Sequence, residues 1–350
     1  MVPPSAVEVR APASSPVLPA ARGPLSAYLL GHLMEPPHHL EAWPPVLGCS
    51  WCTDDFQLAL YVCYELHYRS FAEVDESWEW HPELLRFRAE LEAVFERGVR
   101  SLVAAAVPPS SGHESVEDQL WSLASAGKGP SLSSFVERSA TIDQVRELAV
   151  HRSAYQLKEA DPHTWAIPRI AGGAKAAMVE IQSDEYGAGQ EAQMHSSLFA
   201  VTMEELGLDS GYGAYLDLIP GFTLATVNLI SLFGLHRRLR GALVGHLAMF
   251  EMTSVAPMGR YSRALSRLGL SKRARRFYDV HVLADAHHQH VAARDMAARL
   301  ALDEPVLGAD ILFGARAVMA VEGRFTAEVL DRWGKGEGSL LTPPLTPSGA

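Results

Sequence analysis

Residues 275–296 read RRFYDVHVLADAHHQHVAARDM, and this stretch decides the fold class and carries the sharpest chemical signal in the chain. At 100° per residue, His281, Asp285 and His288 fall within about 60° of one another on one helical face. Phe277, Ala284 and Ala292 share that face, so it points into protein, whereas His287 and His290 point away. Two imidazoles and a carboxylate in an apolar stripe would be expensive to bury without a common partner. The triplet therefore reads as converging metal-type ligands on a helix.

Helical patterning extends outward from there. Residues 53–72 open with Thr-Asp-Asp, a cap followed by acids near the positive end of the dipole. In residues 82–99, Pro82 suits the first turn, and Leu84, Leu85, Phe87, Leu91 and Val94 recur at helical intervals. Thr141 begins a long helix that Asp161-Pro162 stops, because the residue before proline avoids helical angles. Further helices are expected over 169–186, 190–206, 220–236, 239–255, 271–301 and 306–333. No strand-type alternation of useful length occurs, so the fold class is all-α.

Residues 105–112 and the Gly/Ser-rich stretch 126–134 read as connectors, which places a boundary near residue 130. The expected organisation is a disordered, proline-rich arm (1–25), an N-terminal helical region (26–130), a second helical domain (131–335) and a flexible tail (336–350).

The chain has 350 residues, 48% of them apolar and 20% charged, so it folds as a globule. Forty-one acidic against 30 basic side chains give a net charge of −11, which argues against nucleic acid or an anionic membrane as partner and favours a small molecule. Cys49, Cys52 and Cys63 are too few for a disulfide scaffold. The Cys49-x-x-Cys52 spacing has no second pair to complete a zinc site, and all three are expected reduced in the cytoplasm. The start lacks the continuous apolar stretch of a signal peptide. The uncharged run 218–235 approaches membrane-span length, but Pro220, Gly221, Thr223, Thr226, Asn228 and Ser231 make a buried central helix the expectation.

Further ligand-type residues are spread over other helices. Glu185 and His195, in DEYGAGQEAQMH, would lie about 15 Å apart on a straight helix. Gly187 and Gly189 allow a break that swings the histidine back, although a plain connection between two helices also fits. Glu251 shares a face with Val244, Leu247, Ala248 and Val255, so it is either paired or ligating. Glu159 stands near a helix end beside Leu148 and Tyr155, with Arg152 offering a salt bridge as the simpler account. Glu65 competes for the same role on the 53–72 helix. Without Glu65 the set is three histidines and four carboxylates, a mixture that suits iron or manganese, and helical cores are where carboxylate-bridged metal pairs are built. The reading is a dinuclear site, yet the two Glu-x-x-His motifs of ferritin-like proteins are absent.

The set Glu159, Glu185-x9-His195, Glu251 and His281-x3-Asp285-x2-His288 resembles the ligand pattern of the haem-oxygenase-like diiron oxidases and oxygenases. The segments KEADPHTWAIPR, DEYGAGQEAQMH and GHLAMFEMTS are similar to parts of proteins described as iron-containing redox enzymes, over residues of about 140 to 333. The resemblance implies a haem-oxygenase-like bundle of about seven helices preceded by an additional, dimerising N-terminal helical region. It implies two irons held by Glu159, Glu185, His195, His281, Asp285 and His288, with Glu251 as an additional ligand and Glu65 as a structural or interface residue. The chain leaves no room for the cupin domain found in one N-oxygenating branch, so the later rearrangement of that branch is expected to be absent.

The implied activity is O2-dependent oxidation of a small amine or amino-acid-like metabolite, N-hydroxylation first, with desaturation or C–C cleavage close behind and an external electron donor as a possible partner. Arg152 and Arg169 are candidate clamps for a substrate carboxylate, with surface salt bridges as the alternative for each. A non-catalytic helical protein that binds a small molecule or stores metal is the competing reading.

Overall fold

Side-chain caps set the helix starts much as the sequence proposes. A computed structural model describes residues 15–106, 114–126 and 129–342. Helices α1 (Pro24–Leu33), α2 (Asp54–Glu65) and α3 (Pro82–Ala106) form the N-terminal region, and α4 (Val116–Ser125) and α5 (Leu132–Arg138) lead into the bundle. There follow α6 (Ile142–Gln156), the single turn α7 (Asp161–Thr164), α8 (Gly172–Glu185), α9 (His195–Glu205), α10 (Gly221–Leu235), α11 (Arg240–Arg267) and α12 (Lys272–His290). The last continues without a break into a π-helical stretch, Val291–Ala298, then α13 (Arg299–Asp303) and α14 (Gly308–Gly334). No strand occurs among the described residues, and the all-α expectation holds.

Thr53 caps α2 by accepting from the Phe56 amide, Thr141 and Gln144 form a reciprocal capping box on α6, and Ser271 caps α12. Two helices end sooner than proposed. α2 stops at Glu65, where the Ser70 amide closes the turn onto the Glu65 carbonyl. α6 stops at Gln156, so that Lys158 and Glu159 lie in the turn before α7. α11 instead runs past its expected end and through Pro257 to Arg267. Its packing on α12 and α14 outweighs the one hydrogen bond the proline removes.

α10 is the buried central helix, packed on α2, α11 and α14. Asn228 in its middle donates to the Gln57 carbonyl (2.9 Å) and side chain (2.7 Å). Among the described residues no helix is long and apolar enough to cross a membrane. α11 and α14 touch backbone to backbone: a Cβ on Gly245 would stand 1.8 Å from the Ile311 carbonyl oxygen, and one on Gly314 would stand 1.9 Å from that of Ala242. Only glycine fits at this crossing.

Of the two apolar core clusters, one runs from Leu25 through α2 and α3 to Val321, and the other, from Leu132 to Trp333, lies wholly beyond residue 130. Three expectations on local organisation need correction. The connector expected at 126–134 becomes α5 from Leu132 onward. Residues 15–25 are not a loose arm: Ala72 donates to the Pro16 carbonyl (2.7 Å), and Arg22 donates to the carbonyls of Leu216 (2.5 Å) and Ile219 (2.8 Å). At the other end Ser339 is fully buried, and the Leu341 amide donates to Leu218 (2.8 Å), so 336–341 packs as well. The rest of the expected arm (1–14), much of the 105–112 connector, residues 127–128 and the end of the tail (343–350) lie outside the described residues. Cys49, Cys52 and Cys63 are free.

Candidate metal centre

Five elements deliver seven ligand-type side chains to one place. Glu159 comes from the turn after α6, Glu185 from the last residue of α8, His195 from the first of α9, and Glu251 from α11. His281, Asp285 and His288 come from one face of α12. All seven are 8% exposed or less. The chain between α8 and α9 reverses through Gly187 (φ 61°), Ala188 (φ 50°) and Gly189 (φ 80°), and a Cβ on Gly187 would lie 2.6 Å from the Met194 amide nitrogen. This fold-back brings Glu185 Oε2 to 2.8 Å from His195 Nδ1.

Single ligand atoms of Glu159, Glu185, His195 and His281 all lie within 4.8 Å of one another, and so do those of Glu185, Glu251 and His288. Glu185 belongs to both groups. Asp285 stands just outside them, with Oδ1 3.8 Å from His288 Nδ1 and Oδ2 accepting from the Ser254 hydroxyl (2.5 Å). Glu251, expected as an additional ligand, therefore sits in the second group, and Asp285 flanks it.

Outer contacts orient the imidazoles. His281 Nδ1 donates to the Phe277 carbonyl (2.8 Å), which turns Nε2 toward Glu159, 3.7 Å away. His288 Nε2 donates to Asp184 (3.0 Å), leaving Nδ1 to face Glu251 at 3.5 Å. Gln156, with its amide turned to donate, reaches both Glu159 oxygens at 2.7 and 2.8 Å.

Glu185 Oε2, His195 Nδ1, Glu251 Oε2, Asp285 Oδ1 and His288 Nδ1 are buried without a hydrogen-bond partner; even the close Glu185–His195 approach is not aligned as one. Each such group left alone costs about 1–3 kcal/mol. Carboxylate and imidazole donors converging in this way fit divalent iron.

The electrostatics match. Burial alone would lower the basicity of His281, but Glu159 and the charges of Glu185 and Asp285 outweigh it and raise the group to about 10. His288 is raised in the same way to about 9, with Glu251 and Asp184 overcoming burial. Burial and the charge of Glu251 push Asp285 up to about 7. For Glu185 the opposing effect of burial is overcome by His195, His281 and His288, which hold it at about 2. Imidazole partners thus gather around the carboxylate shared by both groups.

A cavity of about 330 Å³ opens against Glu159, Glu185, Glu251, His281 and Asp285. Arg152 lines it too, but its guanidinium is engaged by Glu322 through two hydrogen bonds (2.9 and 2.8 Å). Arg169 is not on its wall. It donates to the Gly234 and Leu235 carbonyls at the end of α10 and stacks by Trp165, so it caps a helix rather than clamping a substrate.

Sequence reasoning missed several neighbours. Lys158, 1% exposed, pairs with fully buried Glu65 (2.7 Å), which also accepts from the Tyr212 hydroxyl (2.6 Å). This makes Glu65 a buried anchor of the turn that carries Glu159. Tyr155 and His163 line the cavity, with the hydroxyl 3.5 Å from His163 Nδ1, and His163 Nε2 lies 3.1 Å from His246. Glu322 had a visible signal, an acid inside the apolar run AVMAVEG. Asp184 had only its place beside Glu185.

Residues 146–323 match the family described as iron-containing redox enzyme. The chain belongs to this family. Its match spans half of the chain and contains all seven ligand-type residues of this iron-containing redox enzyme, but not Glu65. The bundle is accordingly haem-oxygenase-like, and membership of the family supports assignment as an oxidoreductase. The chain is also 27% identical over 136 residues to nitrosourea synthase from Streptomyces achromogenes subsp. streptozoticus. That stretch is 39% of this iron-containing redox enzyme and 29% of the relative, so the chain spans under a third of the relative's length.

Proposed function

We propose that the chain is an O2-dependent non-haem diiron oxygenase or oxidase acting on a small amine or amino-acid-like metabolite, with N-hydroxylation as the leading reaction. One observation carries the reading: a single buried carboxylate, Glu185, belongs to two ligand groups at once, the arrangement a bridged metal pair needs. Glu159, Glu185, His195 and His281 would hold one iron, and Glu185, Glu251 and His288 the other, with Asp285 at its side. Bound iron would supply the redox chemistry with O2.

The chain's own residues supply orientation and access. Phe277 and Asp184 fix the rings of His281 and His288, and Ser254 holds Asp285. The cavity brings a small molecule against the carboxylates while its apolar wall excludes water. Burial holds His163 neutral, down to about 4, so its Nδ1 faces the Tyr155 hydroxyl on that wall as a hydrogen-bond acceptor. An external electron donor and a homodimer belong to the reading as well; Met34, Leu47 and Trp80 leave large apolar side chains exposed in the N-terminal region.

Anaerobic loading with Fe(II), followed by O2, tests the reading. Two irons per chain and a transient visible absorption are expected, with His281→Ala and Asp285→Ala losing iron and activity while helicity stays nearly intact. Full iron content and activity in both variants would remove the site from α12. Two irons with no O2-dependent absorption and no amine consumed would favour metal storage instead.

A further inference from the structure

We infer that Arg152 and Glu322 form a headgroup subsite on the cavity wall, and that this subsite selects a substrate end carrying both a donor and an acceptor with no net charge, such as an α-amino-acid head, over a purely anionic or cationic end. The inference deepens the proposed function and rests on it only for which end of the substrate reacts.

Arg152 stands on α6 and Glu159 in the turn beyond its end, so the pair and the ligand groups reach one cavity from different elements. The guanidinium and carboxylate are matched one to one in a fork (2.9 and 2.8 Å), yet their side chains keep 26% and 23% of their exposure, and both line the cavity. Two more polar groups join them. Tyr261 and Tyr278 line the same wall within electrostatic reach of Arg152, and among the described residues neither phenol makes a hydrogen bond. The same lining includes Leu247, Phe250, Met258 and Met319. The cavity thus offers polar, apolar and metal-binding surface together, which suits a molecule with a polar head and an apolar body.

The charge balance decides the headgroup. A lone carboxylate would have to share the guanidinium with Glu322 and would leave the patch with a net negative charge away from bulk water. A lone ammonium would compete with Arg152 for Glu322 in the same way. A head with both groups gives the carboxylate to Arg152 and the ammonium to Glu322, and keeps the patch neutral. The unpartnered phenols add donors. Arg152 is therefore half of a paired recognition element and not a simple carboxylate clamp.

The test uses three probes with related carbon chains: L-lysine, 6-aminohexanoate, which lacks the α-amino group, and 1,5-diaminopentane, which lacks the carboxylate. The set one methylene shorter is run beside them. Binding to the Fe(II)-loaded protein is measured by calorimetry without O2. In the wild type the amino acid binds at least about tenfold more tightly than either partner in the better-fitting set. Glu322→Gln, close in shape, leaves Arg152 uncompensated and moves the preference to the ω-amino acid. Arg152→Met moves it to the diamine. Thermal melts of both variants check that each is folded. The same rank order in all three proteins overturns the subsite, as does tightest binding of the ω-amino acid to the wild type or no binding of any probe. The outcomes separate from those of the diiron reading. A preference that inverts in a protein that fails to hold two irons sinks only that reading, and O2 turnover with an unchanged rank order sinks only the subsite.

Discussion

Replacing Lys158 by methionine tests how the turn bearing Glu159 is held. Lys158 Nζ lies 2.7 Å from Glu65 and over the rings of Tyr68 (4.3 Å) and Tyr61 (5.0 Å), and both charges are removed from water. Removing one partner of such a pair costs about 3–5 kcal/mol, because the other is left charged and buried. Glu65 would keep the Tyr212 hydroxyl (2.6 Å) and the more distant Arg69 amide (3.4 Å), which places the loss at the low end, about 3 kcal/mol. The double variant Glu65→Gln, Lys158→Met removes both charges and should lie within about 1 kcal/mol of wild type. Urea unfolding of metal-depleted protein, followed by circular dichroism, measures all three. A single variant that loses less than about 1 kcal/mol, or a double variant as unstable as the single, would refute the reasoning.

Two further outcomes follow from buried features away from the ligands. His151 sits between Thr223 (2.8 Å) and Ser339 (2.9 Å), where burial, with help from the Arg152 charge, pushes it down to about 3. The unfolded chain then binds the proton more readily, so this contribution to stability is complete above about pH 6.5 and is lost as the pH falls toward 3. At pH 5 the loss is about 2 kcal/mol relative to pH 7.5, and His151→Gln should flatten the pH profile of the urea midpoint by that amount; an unchanged profile would count against it. Gly245→Ala and Gly314→Ala each force a methyl into a carbonyl oxygen closer than 2 Å, and a backbone cannot yield as a side chain does. Each should cost about 3 kcal/mol or more in the same assay, beyond Gly323→Ala, which meets open space.

What the sequence made legible was whatever repeats within one helix. His281, Asp285 and His288 share a face because 3.6-residue periodicity puts them there, and Thr53, Thr141 and Ser271 mark starts because their hydroxyls satisfy amides a few residues on. The glycine pair between Glu185 and His195 also had a local meaning, and the chain reverses there. Pairings between helices had none. Nothing beside Arg152 announced Glu322, 170 residues away, and nothing beside Glu65 announced Lys158. The same blindness left Arg169 between a clamp and a surface salt bridge, when its partners are the carbonyls that end α10. It also could not rank Asp285 against Glu251, since which of the two carboxylates stands nearer Glu185 and His288 depends on how α11 meets α12.

Glu65 lies on α2, well before residue 146, where the match to the iron-containing redox enzymes begins. The segment that kinship outlines is therefore not one that would stand by itself. Cut to residues 146–323, the chain would carry Lys158 into the interior with no counter-charge, expose the face of α10 that α2 covers, and lose the Ser339 hydroxyl from His151. The turn that presents Glu159 would be the first place to feel it. The residues that would touch metal lie inside the matched stretch, while the counter-charge that steadies one of them lies outside it.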